Sequence, residues 1–348
     1  MKEIVSLRLK NARALNGLSQ QEIADRIGIT KQMISKYENG IALPSSRILL
    51  QLSRIFNVKL DYFFSKNIVD LGVINFRKKS SFSKKKQESL KEKIRIQLQN
   101  YIQIENILSI DSTFNNIIQN EQIANLLDIE SVVLKIRNAW EIGLDPIHNI
   151  IQLLEDQEIK VIELYDVDDK FDGLATFVNE KFPIIVVNGN FPVERKRFTL
   201  LHELGHLLLN LPDCDVKTQE NFCNKFAAEF LFPKKMVVKE FGGYRDKVSL
   251  RELIEAQKKY GISIRAAMYR LVDASIISEK RNIDFYKKIN SDPKLKKEVD
   301  QPRFETPEKS NRFEQLIYRS LSQELITLSK AASLLNEDLE KLKRSSLI

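Results

Sequence analysis

Three histidines occur in the 348-residue chain, and two of them stand four apart in RKRFTLLHELGHLLLN, residues 195–210, with Glu203 beside the first. On a helix, that spacing stacks His202 and His206 on one face, where two imidazole nitrogens can hold one ion. Glu203 lies about 100° around such a helix. Its carboxylate is therefore better placed to take a proton from an attacking water and return it to a leaving amine than to act as a ligand. The chain's own composition would yield only about 0.002 H-E-x-x-H strings by chance. Leu200, Leu201, Leu204, Leu207 and Leu208 bury the rest of the helix, and Gly205 lets a neighbouring segment come close.

A catalytic zinc needs a third protein ligand and an open position. QENFCNKFAAEFLFP, residues 219–233, reads as an amphipathic helix with Phe222, Phe226 and Phe230 on one face. Glu220 opens it, and Asn224, one turn on, is a candidate to orient an imidazole by hydrogen bonding. Glu220 is the first candidate ligand, with Glu229 and Cys223 as competitors. Cys214 falls in the connecting loop and is expected to be an inert thiol. His148 follows Asp145-Pro146 and is expected in a cap region or on the surface. Upstream, FPIIVVNGN is a β-branched apolar run ending in Asn-Gly, a buried strand and turn, with DGLATF as its partner. A strand at the sheet edge beside the active-site helix can hold an extended substrate by main-chain pairing, and FPIIVVNGN is the expected one.

The N-terminal segment explains the charge. Residues 1–64 carry ten Lys/Arg against five Asp/Glu and residues 65–100 ten against three, so these segments are +5 and +7 and the rest of the chain is about −4, for a net +8. Such a basic front on a near-neutral body points to a polyanion. In LSQQEIADRIGITKQMISKYENG, Ser19 and Glu22 form a capping box for a helix that Gly28 ends. Thr30 caps a second helix, with Met33, Ile34 and Tyr37 facing inward and Asn39-Gly40 stopping it. Two short helices about a tight turn make a helix-turn-helix. Flanking helices are expected over 3–16 and 45–56, with KLDYFF closing a five-helix domain.

Further on, RKKSSFSKKK begins a connector as a flexible joint, and Leu90, Ile94, Leu98 and Ile102 continue it as a helix. Lys84-Lys85-Lys86 is expected to be a solvated helix start, with contact to nucleic acid as the alternative. SDPKLKKEVDQPRFETPEKS reads as a linker or extended arm. Two amphipathic helices follow it, of which ITLSKAA is reminiscent of a second helix-turn-helix and is expected to serve packing or partner contact. No apolar run reaches the roughly 18 residues a membrane helix needs, and two cysteines cannot build a disulfide framework, so the expected location is the cytoplasm.

Two resemblances emerge from these motifs. Residues 4–64 resemble the XRE-type, lambda-repressor-like DNA-binding domain. That likeness implies double-stranded DNA as partner, with Thr30 to Asn39 in the major groove. Lys31, Gln32 and Ser35 would face base edges, Gln20, Arg8 and Lys36 would face phosphate, and Thr30 would open the recognition helix. It makes Arg13 and Glu38 an internal ion pair. One such domain covers one half-site, so useful affinity calls for a homodimer. FDGLATFVNEKFPIIVVNG, RFTLLHELGHLLLN and ENFCNKFAAEFLFP together resemble the ImmA/IrrE family of zinc metallopeptidases, whose pattern is H-E-x-x-H and then E-x-x-[AC]-N-x-F-A-A-x-x-L-x-P. The likeness runs from about 117 to 279 and puts Glu220 on the ligand position, with one zinc per chain. It implies a regulatory protease that cleaves one partner, commonly a repressor or antitoxin-like protein.

The expected architecture is α+β. An all-α helix-turn-helix domain over 1–66 leads through a basic linker and connector helix over 67–116 to a zincin-like peptidase domain over 117–279, with a small sheet and the HExxH helix. A linker and helical region over 280–348 closes the chain. The expected function is a DNA-binding regulator fused to a zinc endopeptidase. The alternative is a repressor whose peptidase-like domain senses a ligand or partner without cutting.

Overall fold

The computed structural model describes residues 1–64, 71, 83–165, 167–179 and 181–345, so the joint expected at 77–82 lies outside the described residues. Two compact units divide the chain, residues 1–111 with 313–348 and residues 112–312. In the first unit, α1 (Lys2–Leu15), α2 (Gln20–Ile27), α3 (Lys31–Glu38), α4 (Ser46–Phe56) and a 3-10 turn at Leu60–Phe64 close around Val5, Leu9, Ile23, Leu52, Phe56 and Phe63. The expected capping box is present, with Ser19 accepting from Glu22 N and Glu22 accepting from Ser19 N. Gly28 ends α2 at φ 73°, in the left-handed region that glycine adopts without cost. Helix α5 (Lys84–Ile107) buries Leu90, Ile94, Leu98, Tyr101 and Ile104 as one stripe.

The second unit starts with α6 (Asp128–Ala139) and α7 (Ile150–Asp156) and continues into three strands, β1 (Lys160–Leu164), β2 (Gly173–Val178) and β3 (Phe182–Asn188). Their order is β1-β3-β2, with β1 parallel and β2 antiparallel to β3. The central strand is β3, buried from Pro183 to Asn188 as its unbroken apolar run requires. This corrects the expectation that FPIIVVNGN is the edge: the edge nearer the helix that carries His202 and His206 is β2, the DGLATF strand. That helix, α8 (Val193–Leu208), packs on β2 and β3 and on α9 (Val216–Leu231). Leu200, Leu201 and Leu204 on α8 are fully buried, which stabilises the packing by roughly 1.5–3 kcal/mol each. Helices α10 (Lys234–Phe241), α11 (Leu250–Tyr260) and α12 (Ile264–Asp273) complete the core.

Much of the stretch from 280 to 310, expected as linker or extended arm, is instead α13 (Glu279–Ser291) and α14 (Pro293–Val299), and Ile289 and Val299 join the same core as α8. Two well-spaced apolar anchors are enough to dock helices whose other faces are polar, which is why composition alone suggested a linker. The last helices, α15 (Arg312–Ser322), α16 (Leu328–Leu335) and α17 (Leu339–Ser345), belong largely to the first unit, where Tyr101 of α5 stacks on Phe313 with centroids 5.4 Å apart. Ala331 and Ala332 of the ITLSKAA segment are buried against this cluster.

Candidate metal centre and helix-turn-helix surface

Helix α8 presents His202 and His206 on one face, with ring centroids 4.9 Å apart and planes near perpendicular. Helix α9 brings Glu220 to them: its Oε2 lies 3.2 Å from His202 Nε2 and its Oε1 3.6 Å from His206 Nε2. One donor atom from each of the three residues falls within 4.8 Å of the others. Tetrahedral zinc with bonds near 2.05 Å sets its ligand atoms roughly 3.3 Å apart, a spacing that the two measured distances bracket. Two imidazoles and a carboxylate therefore fit zinc in chemistry, and the two His–Glu distances fit it in spacing.

Close approach of α8 and α9 makes this convergence possible. A Cβ at Gly205 would stand 3.3 Å from Cys223 Cα and 3.4 Å from its Sγ, so a larger residue would hold α9 away. The short loop from Leu209 to Asp215 then returns the chain, and Asp215 caps α9 by accepting from Thr218 N. Cys223 Sγ lies 3.4 Å from His206 Nδ1, on the side of the ring opposite Nε2. Its position suits holding the ring rather than sharing the ion with Glu220. Asn224, expected to orient an imidazole, is exposed on α9 and among the described residues hydrogen-bonds neither histidine.

Glu229 has a different environment. It is buried, its carboxylate pairs with Arg270 and it accepts from Lys234 N at 2.9 Å, so its lone pairs are committed two and a half turns from Glu220. Cys214 is half-buried in the loop, and its carbonyl accepts from Gln219. His148 is exposed, and its backbone carbonyl accepts from Arg197 at 3.3 Å.

Three supports for the site escaped sequence reasoning. A Cβ at Gly173, the first residue of β2, would stand 2.9 Å from Val186 O, 2.9 Å from Thr199 Cγ2 and 3.2 Å from Glu203 Cγ, so this glycine sets how closely β2 lies over the Glu203 side chain. A glycine inside a strand pattern was the available signal. The second support is the sulfur contact to His206. The third anchors α8 itself: Arg197, fully buried, pairs with Glu308 and donates to Ile147 O at 2.7 Å, while Phe304 lies under its guanidinium at 4.1 Å. Glu194 accepts from Arg303 N at 2.7 Å and Phe304 N at 3.2 Å. The arm expected at 300–310 thus straps the first turns of the histidine-bearing helix.

On the helix-turn-helix, Thr30 accepts from Met33 N and caps α3. Thr30, Lys31, Gln32 and Lys36 are exposed and Ser35 is half-buried beside Asn39, whose side chain donates to it at 3.3 Å. Gln20 donates to Glu38 at 2.7 Å, and Arg13 pairs with the same carboxylate at 2.6 Å, the internal ion pair that the resemblance implied. Two expectations fail here. Arg8 is fully buried, donating to Gln99 of α5 with its guanidinium 5.0 Å over the Tyr62 ring, and so cannot face phosphate. Met33 is exposed on α3, not turned inward.

Comparison with known proteins agrees with both halves. The family described as helix-turn-helix matches residues 9–63, and the family described as IrrE N-terminal-like domain matches residues 154–272. Similar curated proteins include an SPbeta prophage-derived HTH-type transcriptional regulator, YonR, of Bacillus subtilis, 47% identical over 55 residues, which are 16% of this chain and 51% of that protein. The HTH-type transcriptional regulator ImmR of the same organism is 39% identical over 62 residues, 18% of this chain and 49% of that protein. The chain spans about half the length of these relatives. Among the described residues no helix is long and apolar enough to cross a membrane. The chain thus joins an N-terminal helix-turn-helix domain of the XRE type to an IrrE N-terminal-like domain.

Proposed function

We propose that this protein is a DNA-binding transcriptional regulator carrying a zinc-dependent endopeptidase that cleaves one partner, a repressor or antitoxin-like protein. The observation that carries the enzymatic half is the convergence of His202, His206 and Glu220 on one point, with Glu203 on the same helix turn as the first ligand. His202, His206 and Glu220 would hold the ion, one per chain, and Cys223 would steady the His206 ring. Zinc in such a site polarises a peptide carbonyl and makes water acidic enough to lose a proton near neutral pH. With the ion bound, Glu203 would accept a proton from the attacking water and return it to the leaving nitrogen. An extended substrate adds to the open edge of β2 by main-chain pairing, which lays its backbone along α8.

For the DNA-binding half, Lys31, Gln32 and Ser35 of α3 face base edges in the major groove, Thr30 fixes the start of that helix, and Gln20 and Lys36 face phosphate. A homodimer supplies the second half-site. The relatives named transcriptional regulators cover 16–18% of the chain and support the DNA-binding half; the second reading is that the metal-site domain senses a partner without cutting it.

One experiment separates the two. The purified protein is mixed with the repressor encoded beside its gene, with and without chelator, alongside Glu203→Gln. The peptidase reading expects zinc at about one per chain in both proteins and cleavage slower by about 10²–10⁴-fold in the variant. Full cleavage by Glu203→Gln would sink the assignment, and a partner left whole by the wild type in every condition favours the sensor.

A further inference from the structure

The run Lys84-Lys85-Lys86 has an unusual setting. It forms the first turn of α5, a turn with no acidic residue, where the helix dipole disfavours cations. The contrast with α2 is direct, since α2 places Glu22 in its first turn. Helix stability therefore does not explain three consecutive lysines here.

The packing of α5 gives them a position. Ser89 donates to Leu15 O at 2.8 Å, and Arg8 donates to Gln99 Oε1 at 3.1 Å. Moving forward along α5 thus moves backward along α1, so the two helices run antiparallel. That register carries the first turn of α5 past the end of α1 onto the turn that leads into α2. Lys85 Cε lies 3.4 Å from where a Cβ on Gly17 would stand, and Gly17, at φ +58°, precedes Gln20 by three residues. The Glu22 carboxyl, held below its ordinary value first by the Ser19 hydrogen bonds, also feels the Lys85 charge. All three lysines are exposed. Successive residues on a helix turn about 100°, so the three side chains fan over about 200° at the edge of the helix-turn-helix where Gln20 would meet phosphate.

We infer that the first turn of α5 is a second phosphate-contacting element, through which Lys84, Lys85 and Lys86 extend the DNA footprint beyond the helix-turn-helix. It rests on the DNA-binding reading proposed above. These lysines carry no sequence information; they add affinity and salt dependence, because each phosphate they neutralise releases condensed counterions.

The test uses the full chain and a duplex of arbitrary sequence about three helical turns long. Affinity is measured between about 50 and 200 mM salt, and each neutralised phosphate contributes roughly 0.9 to the slope of log K against log salt. The protein carrying Lys84→Gln, Lys85→Gln and Lys86→Gln is expected to lose about 2–3 from that slope, and Lys36→Gln about 1. The corresponding triple change to Arg keeps the charge and should retain the wild-type slope, which separates charge from the packing of Lys85 on Gly17. An unchanged slope in the Gln triple variant, with the Lys36→Gln slope reduced, overturns this inference alone. If the wild type fails to bind the duplex, or neither variant moves the slope, the DNA-binding reading falls and this inference with it. Unchanged helical circular dichroism in the Gln triple variant keeps misfolding from mimicking either result.

Discussion

The two sites in this chain are built in opposite ways. The helix-turn-helix surface runs from Gln20 to Lys36, and each of its helices is set by a cap within three residues: Ser19 to Glu22, Thr30 to Met33. The candidate metal centre draws the residues that would hold the ion from two helices, the cover over Glu203 from β2, and the anchor of α8 from a strap a hundred residues further on. A site made of local interactions loses little when one of them is removed. A site made of distant segments depends on buried contacts that water cannot replace, so its weakest points lie far from the ion.

The largest effect should come from the strap. Glu308→Ala leaves the Arg197 guanidinium buried without its carboxylate partner, and a broken buried pair costs about 3–5 kcal/mol. Calorimetry is expected to lower the transition of the second unit, recognisable as the one that added zinc raises, and to leave duplex binding by the first unit intact. A variant that melts with the wild type would show that the strap does not anchor α8.

A pH effect of similar size should come from Glu155 of α7. Burial pushes its carboxyl up to about 7, against hydrogen bonding from Ser310 and the Arg312 charge. The folded state therefore keeps a proton that the unfolded chain has already lost above its ordinary value of 4.5. Its contribution to stability is complete below that value, declines as pH rises towards about 7 and then levels, by about 3 kcal/mol in all. Glu155→Gln should flatten this decline and melt above the wild type at alkaline pH; parallel profiles for the two proteins would refute the shift.

Gly173→Ala sharpens the comparison at the site itself. The new methyl would meet a backbone carbonyl oxygen and the Thr199 methyl, both at 2.9 Å, and overpacking of this kind costs about 1–3 kcal/mol. Because the third neighbour is Glu203 Cγ, zinc content should hold while turnover falls more than stability does. Loss of zinc in step with turnover would mean that the sheet, and not Glu203, had moved.

What could be read from the sequence divides along the same line. The placement of His202 and His206 on one face of a helix, with Glu203 beside the first, and the caps of α2 and α3 were legible because spacing along one helix or within one turn determines them. Spacing leaves Glu220 and Glu229 open as candidates, since both lie on α9, and it is Arg270 from α12 that occupies the Glu229 carboxylate. Arg8 and Met33 were misplaced for the same reason: whether a basic residue on α1 faces phosphate or Gln99 depends on α5 packing over it. Residues 280–310 looked like a linker or extended arm because Ile289 and Val299 are sparse in a polar run, and their burial is set by the core they dock on. The partner of His206 Nδ1 was hidden likewise, because Cys223 was weighed as a ligand and not as a neighbour reached through Gly205.

The smallest effect should be Ser19→Ala. It removes the acceptor for Glu22 N, one half of the capping box, and leaves the Glu22 carboxylate accepting from the backbone of residue 19 at 2.6 Å. Loss of an N-cap side chain costs about 1 kcal/mol. The cost falls on the first unit alone, so the zinc-responsive transition should stay in place while the other shifts down by a few degrees. Duplex affinity should change little, because Ile23 and Ala24 keep α2 seated in its core after its first hydrogen bond is gone. A loss of several kcal/mol here would mean that the helix-turn-helix depends on that cap as heavily as the metal centre depends on its strap, and the contrast between a local and a dispersed site would not hold.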